Sequence, residues 1–389
     1  MSDSGEFVPF NRVHFAGGEL RAIEQAVIDG HISADGPFSE RCTQWLQRWS
    51  GSDRALLMPS CTAALEAAAM LIDAGPGDEI VMPSYTFSST ASAFVMRGAT
   101  PVFVDIRPDT LNLDETLVED AITDATTAIV PVHYGGIGCE MEPLAKLAAE
   151  RGLSIVEDAA QGILAEADGR PLGSQGRLGA LSFHETKDVT CGEGGALLVN
   201  DESLIERAEI LRDKGTNRRK FFRGEVDKYT WVDLGSSFGL SDLNAAFLWA
   251  QLEAADRIKE MRLAIWTAYH EAFASLETDG VLRRPVVPEG RSHNAHLYYL
   301  LLPDGRSRDA FLQALREREI DAVFHYVPLH SSPAGRRWGR PNGSLAHTDD
   351  LAARIVRLPL WAGMSDAQLE RVIEGVHSSV ASVLAGRPV

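Results

Sequence analysis

From about Ala55 to Val199 the sequence alternates short apolar, β-type runs with stretches of helical periodicity, and few architectures accommodate that order. Strands joined through helical crossovers lie parallel in one sheet, with helices packed on its faces. The strands read as Ala55–Met58, Glu79–Met82, Pro101–Val104, Ala128–Val132, Ser154–Glu157, Ala180–His184 and Gly195–Val199. Helices fall between them, among them Thr62–Ile72 and Met141–Glu150. Only Glu185–Gly194 separates the last two strands, too little for a helical crossover, so Gly195–Val199 is predicted to run antiparallel. The expected core is an α/β fold built on a mixed seven-stranded sheet.

Beyond that sheet, Ser203–Gly215 reads as helix and Ser241–Phe273 as a long, Ala-rich amphipathic helix or helix pair. A strand at His296–Leu302, a helix at Ser307–Glu319, a strand at Ala322–Tyr326 and a closing helix at Ser365–Leu384 describe a smaller α+β domain. The expected organisation of the 389 residues is an N-terminal arm (1–11), a large α/β domain (12–250) and a small C-terminal domain (251–389).

The net charge of −18 argues against non-specific binding to nucleic acid, whose phosphates repel such a surface. No apolar run reaches the roughly 18–20 residues of a membrane helix, so no membrane partner is expected. The first residues carry neither a basic nor an apolar leader region, and the cytoplasm is the expected location. Four scattered cysteines without a CxxC pair suit a reducing compartment. No GxGxxG, P-loop or HExxH motif occurs. His325 and His330 lack a third ligand, so no metal is expected.

The chemistry-bearing residues stand where predicted strands end, the edge at which open α/β sheets bind ligands. Pro59-Ser60-Cys61-Thr62-Ala63 turns from strand into helix, and the free N–H groups of a helix N-terminus can hold a phosphate. Read alone, the turn is equally a plain N-cap. Asp158 ends the run Ser154-Ile-Val-Glu-Asp and is followed by Gln161; a carboxylate there is often only a cap. Lys187, one of just six lysines, follows Ser182-Phe-His184 and precedes Gly192-Glu-Gly-Gly195. Desolvation lowers an ammonium pKa and frees the amine as a nucleophile. Together these residues describe a pyridoxal phosphate site: a helix terminus for the phosphate, a lysine for the aldehyde and a carboxylate for the pyridine nitrogen. Tyr85-Thr-Phe87 offers an aromatic face at the same edge.

Over essentially its whole length the chain resembles the DegT/DnrJ/EryC1/StrS family of sugar aminotransferases, pyridoxal phosphate enzymes of fold-type I, the aspartate-aminotransferase-like class. The stretches that carry the likeness are Pro9-Phe-Asn11, Ser60-Cys-Thr-Ala63, Met82-Pro-Ser-Tyr-Thr-Phe87, Val156-Glu-Asp-Ala-Ala-Gln161, Ser182-Phe-His-Glu-Thr-Lys187 with Gly192–Gly195, and His325-Tyr-Val-Pro-Leu-His330. The resemblance implies that Lys187 bonds to the cofactor aldehyde and Asp158 pairs with the pyridine nitrogen. Gln161 would bond the ring hydroxyl, Phe87 would stack on the ring, and Thr62, Ala63 and Ser182 would hold the phosphate. His184 would lie near the cofactor. The family's usual Gly-x-Asn-x-Arg/Lys stretch is replaced by Gly235-Ser-Ser237-Phe-Gly239, so Ser237 is the substitute for an Asn that reaches the neighbouring subunit's phosphate.

That variant, with Lys214-Gly-Thr-Asn-Arg218 and Val226-Asp-Lys-Tyr-Thr-Trp231, is similar to the branch acting at C4 of dTDP-4-keto-6-deoxyglucose. Between Lys214 and Trp231 lie six cations against two carboxylates, interleaved with Phe221, Phe222, Tyr229 and Trp231. A nucleotide diphosphate fits such a patch, as do ordinary salt links in an interface loop. Arg218, Lys228 and Tyr229, with His330, are the candidates for substrate contact. The implied reaction passes an amino group from L-glutamate, through the pyridoxamine phosphate form, to the dTDP-keto-deoxysugar in a homodimer with shared active sites. The Arg-rich composition, typical of GC-rich genomes where such enzymes serve natural-product glycosylation, inclines the product to the gluco rather than the galacto amine. Amination at C3 is the nearer alternative, a regulatory or scaffolding protein of the same fold the more distant one.

Overall fold

The computed structural model describes residues 7–383. Seven strands of the main sheet come in chain order before residue 200: β1 (Arg54–Met58), β2 (Glu79–Pro83), β3 (Thr100–Val104), β4 (Thr126–Ile129), β5 (Ser154–Asp158), β6 (Leu178–Ser182) and β7 (Gly195–Val199). Three strands of the second half are β8 (Tyr298–Leu301), β9 (Arg340–Pro341) and β10 (Ile355–Leu358), and a separate small sheet pairs the two-residue strands Glu166–Ala167, Arg170–Pro171 and Arg291–Ser292. The main sheet runs β1-β7-β6-β5-β4-β2-β3-β9. As the short connection requires, β7 is antiparallel to both β1 and β6, and the remaining pairs are parallel. The sheet therefore has eight strands rather than seven. The eighth is two residues long, pairs Arg340 with Val102, and is tied further by Arg340 to Glu79.

The pairing brings the C-terminal ends of β1, β2, β5 and β6 to one edge, where β7 begins: Gly195 lies opposite both Met58 and Ser182. The strands are mostly apolar because helices cover both faces; Glu157 and Asp158 of β5 are the buried carboxylates among them. Cys61–Leu71, rich in alanine, packs closely on one side. Pro37–Ser50 and Asp242–Glu253 cover the other. The long Ser241–Phe273 segment is a pair, Asp242–Glu253 and Ala255–Ala272, broken at Ala254 close to the expected domain boundary.

β8 and β10 form an antiparallel pair against helices Gly305–Arg316, Asp366–Val383 and Ala255–Ala272, around Tyr269, Phe273, Tyr298 and Phe311. The expected strand Ala322–Tyr326 is absent: only Val323 bridges to Arg357, and the segment lines a cavity instead. The expected helix Ser203–Gly215 stops at Arg212, because Lys214 and Gly215 take left-handed backbone angles. Of the N-terminal arm, residues 1–6 lie outside the described residues, as does Leu384 of the closing helix. Val8 is fully buried and bridges Ile320.

Candidate active site

A cavity of about 640 Å³ opens at the strand-end edge, between the main sheet and the β8–β10 region. β1 delivers the chain to Ser60, whose extended backbone makes it an N-cap: its Oγ accepts the Ala63 N–H at 3.1 Å. The next residue but one, Thr62, lines the cavity with its Oγ1 2.8 Å from Ser89 Oγ. Ala63 itself is buried under the turn and does not line the cavity. Ser182, the last residue of β6, does.

β5 presents Asp158 to the cavity floor. Its Oδ2 accepts from Thr90 Oγ1 at 2.7 Å and its Oδ1 from the Ala160 N–H at 3.1 Å. Gln161 is held from both ends, Oε1 accepting from the Gly135 N–H at 2.6 Å and Nε2 donating to the Tyr326 hydroxyl at 3.0 Å. The Phe87 ring stands at the rim, 59% exposed and 6.3 Å from Tyr326.

Lys187 sits in the loop from β6 to β7, its N–H donating to the His184 carbonyl. Desolvation lowers its pKa; the charge of Arg357 adds to this, while Cys61, Asp158 and Asp188 oppose it. His184 lies on the solvent side, with Nδ1 3.0 Å from Thr186 Oγ1. Asp188, beside the lysine, is buried between Arg262 Nε and His296 Nδ1, both at 3.0 Å. Burial drops the His296 pKa to about 4, so the ring is neutral.

A buried amine whose pKa desolvation lowers, a carboxylate at the base, hydroxyls at a helix N-terminus and an aromatic rim are the donor set that pyridoxal phosphate requires. The residues fit the group. Other sequence-derived candidates lie elsewhere. Ser237, Arg218, Lys228 and Tyr229 are exposed and line no part of this cavity. His330 is set behind it, Nδ1 2.7 Å from Ser84 Oγ and Nε2 3.3 Å from Asp349. Half the cations of the 214–231 segment are already paired: Arg219 with Asp35 and Glu209, Lys220 with Glu206, Arg223 with Glu209 and Glu225. Thr90, Arg262, His296 and Arg357 were not singled out in the sequence; nothing local marks them. Tyr326 stood inside the recognised His325–His330 stretch. Among the described residues no cluster of His, Cys, Asp or Glu could hold a metal ion, and no helix is long and apolar enough to cross a membrane.

Fold and site together define a pyridoxal-phosphate-dependent aminotransferase of fold-type I. The profile of the DegT/DnrJ/EryC1/StrS aminotransferase family matches residues 16–377, and the chain belongs to that family of sugar aminotransferases. Protein MJ1066 of Methanocaldococcus jannaschii is 32% identical over 353 residues, 89% of this chain and 91% of its own. The structure of DesV from S. venezuelae is similar with a TM-score of 0.87 at 33% identity, covering 99% of this chain and 100% of that one. The aminotransferase TlmJ from Streptoalloteichus hindustanus gives 0.87 at 30% identity, over 97% of this chain and 99% of its own.

Proposed function

We propose that the protein transfers the amino group of L-glutamate to C4 of dTDP-4-keto-6-deoxy-D-glucose, giving dTDP-4-amino-4,6-dideoxy-D-glucose, in the cytoplasm and as a homodimer. The observation that carries the reading is the position of Lys187: a cavity-lining amine with lowered pKa, in one cavity with Asp158, Gln161 and Thr62.

In this reading Lys187 would hold the cofactor by its aldehyde, Asp158 would pair with the pyridine nitrogen, Gln161 would bond the ring hydroxyl, Phe87 would cover the ring, and Thr62, Ser182 and the Ala63 end of the helix would hold the phosphate. When bound, pyridoxal phosphate supplies an aldehyde for the incoming amine and a ring that draws electrons from the reacting carbon. Freed when the donor amine takes its place at the aldehyde carbon, Lys187 Nζ would carry the proton from the donor α-carbon to that cofactor carbon and, in the second half-reaction, carry a proton from the same carbon to C4 of the sugar. Asp158, acceptor-only when ionised, keeps a proton on the ring nitrogen. His184 stands at the solvent mouth of the same cavity. Ser237, Arg218, Lys228 and Tyr229 act across the dimer interface, on the neighbouring protomer's phosphate and nucleotide; His330 supports the wall from behind.

The test is spectroscopic. The visible band of the cofactor-loaded protein falls on adding L-glutamate and returns on adding dTDP-4-keto-6-deoxyglucose, and NMR of the product places the amine at C4 with gluco stereochemistry. A band that responds to glutamate but returns only with a 3-keto sugar replaces C4 by C3. A band indifferent to glutamate removes the donor.

A further inference from the structure

We infer that His296 and His325 read the amino acceptor as an α-hydroxy ketone: His325 Nε2–H donates to the ketone oxygen, and His296 Nε2 accepts from the hydroxyl on the neighbouring carbon. Both residues line the cavity. Nε2 of each ring has no partner among the described residues, yet neither atom is sealed in the core, so both are open to the cavity. The two Nδ1 atoms are engaged, and their partners fix where the protons lie.

For His296 the partner is Asp188 Oδ1 at 3.0 Å, which Arg262 Nε also approaches to 3.0 Å. A carboxylate only accepts, so Nδ1 carries the proton. The guanidinium already balances that carboxylate, and a second buried cation would stand uncompensated. The ring is therefore neutral, and its Nε2 is a bare acceptor. For His325 the partner is the Tyr134 hydroxyl at 2.6 Å, shorter than an N–H···O bond and ordinary for an O–H donor. Tyr134 donates to Nδ1, and its oxygen faces the Tyr85 hydroxyl at 3.5 Å. No carboxylate among the described residues pairs with the buried His325 ring, so it too is neutral and its one proton sits on Nε2.

Gln161 joins the two rings. Its Nε2 donates to the Tyr326 hydroxyl at 3.0 Å, and His325 stacks on Tyr326 with ring centroids 3.6 Å apart. Its carbonyl accepts from Asn294 Nδ2 at 2.8 Å, and Asn294 Oδ1 accepts the His296 N–H at 3.0 Å. In the aminotransferase reading, on which the inference rests, Gln161 faces the ring hydroxyl of pyridoxal phosphate, and the reacting carbon is attached beside that hydroxyl. Both histidines thus flank the side where the acceptor carbon arrives. Uncharged rings are poor seats for a carboxylate or a diphosphate, whereas a donor beside an acceptor matches a carbonyl beside a hydroxyl. A ketone at C3 or at C4 satisfies the pair equally.

The pyridoxal phosphate form has no amine to give, so it binds a keto sugar without converting it. dTDP-4-keto-6-deoxyglucose and dTDP-4-keto-3,6-dideoxyglucose, which lacks the neighbouring hydroxyl, are titrated calorimetrically into that form of the wild type, His296→Asn and His296→Gln. The asparagine amide still reaches Asp188 and leaves nothing at the Nε2 position, which the glutamine amide oxygen can take. The wild type is expected to bind the hydroxy sugar roughly 3–10-fold more tightly, the scale of one neutral hydrogen bond. His296→Asn loses the preference and His296→Gln keeps part of it; His296→Phe replaces the asparagine variant if that does not fold. Equal binding of the two sugars by the wild type, or an undiminished preference in His296→Asn, overturns the assignment. A wild type that binds neither sugar rejects the dTDP-sugar reading. Hydroxyacetone and acetone then serve as acceptors, scored by return of the cofactor band after glutamate, and the assignment stands only if the ratio of their rates falls in His296→Asn. Asp188 and Tyr134 are positioning residues, and histidine 15N NMR reads that role without any sugar. The Nδ1–H form of His296 and the Nε2–H form of His325 uphold it; a proton on His296 Nε2 overturns it.

Discussion

Thr90 donates its hydroxyl proton to Asp158 Oδ2 at 2.7 Å and, having spent it, accepts from Thr86 Oγ1 at 2.7 Å. The two threonines, both buried, form a relay that fixes the plane of the carboxylate from the N-terminal turn of helix Ser88–Val95. Thr90→Val keeps the shape and removes the donor. Losing one hydrogen bond to a charged group, about 1.5–3 kcal/mol, predicts a fall of roughly 10–100-fold in kcat with the cofactor retained. Asp158→Asn costs more, because an amide cannot hold a proton on the ring nitrogen. Lys187→Ala abolishes turnover. Single-turnover kinetics with L-glutamate on the three purified variants gives the order.

A second carboxylate one residue earlier serves stability. Glu157 is fully buried; its Oε2 accepts from His133 Nε2 at 2.8 Å and from the Gly173 N–H at 2.9 Å, and its Oε1 accepts from the N–H groups of Gln175 and Gly176. Because the Cys139 N–H donates to His133 Nδ1, the ring offers its Nε2–H to the carboxylate. Burial alone would raise the Glu157 pKa, but His133 and the backbone donors outweigh it and hold it below the ordinary value. A depressed carboxylate stabilises the fold above its unfolded pKa of about 4.3, and that contribution is lost as pH falls through the lower folded value. Glu157→Gln should therefore cost about 1–3 kcal/mol at pH 7. In urea unfolding, the gap between variant and wild type closes as the pH is taken below about 4; a gap that persists in acid would show that ionisation is irrelevant.

The 214–231 segment and its neighbours expose Phe222 (66%), Trp231 (75%) and Val232 (50%), a concentration of apolar surface that an isolated protomer would not favour. Trp231→Glu is expected to shift light scattering from dimer to monomer and to remove activity with it. Ser237→Ala, at an exposed position remote from its own cavity, should leave the dimer intact and weaken cofactor retention several-fold, as for one lost phosphate hydrogen bond of about 1 kcal/mol. A fully active monomer contradicts shared sites.

What could be read from the sequence was whatever the chain repeats locally. The apolar runs around Val81, Val102, Val156 and Leu197 all became strands, and the ten residues between His184 and Gly195 dictated an antiparallel return. Arg340–Pro341 carries no such signal: two residues, one of them proline, pair with β3 only because tertiary packing brings them there. Ala322–Tyr326 has a strand's composition but only Val323 finds a partner. At the site, Lys187 and Asp158 announced themselves by standing after strands. The partners that define their surroundings come from far along the chain, Arg262 and His296 to Asp188, Tyr326 to Gln161, and a single sequence does not show such meetings. The same holds for the basic segment, where Glu206, Glu209 and Asp35 neutralise cations that looked free.

Gly195 links the sheet to the cofactor turn. It opens β7, lies opposite Met58 and Ser182, and sits so close under the turn that an added Cβ would run into the Ser60 carbonyl carbon and oxygen and the Cys61 nitrogen. These are backbone atoms and cannot swing aside, so in Gly195→Ala the Ser60–Thr62 turn itself must move. Overpacking of this kind costs about 1–3 kcal/mol. The displaced turn carries Thr62 and the first N–H groups of helix Cys61–Leu71, so cofactor affinity falls with stability. Gly192→Ala is the control: its φ of +82° makes alanine strained, but nothing lies within 4 Å of the added carbon. It should lose about 1–2 kcal/mol of stability and keep its cofactor. Equal pyridoxal phosphate affinities in the two variants, measured by equilibrium titration of the visible band, would mean that the phosphate is seated somewhere other than this turn.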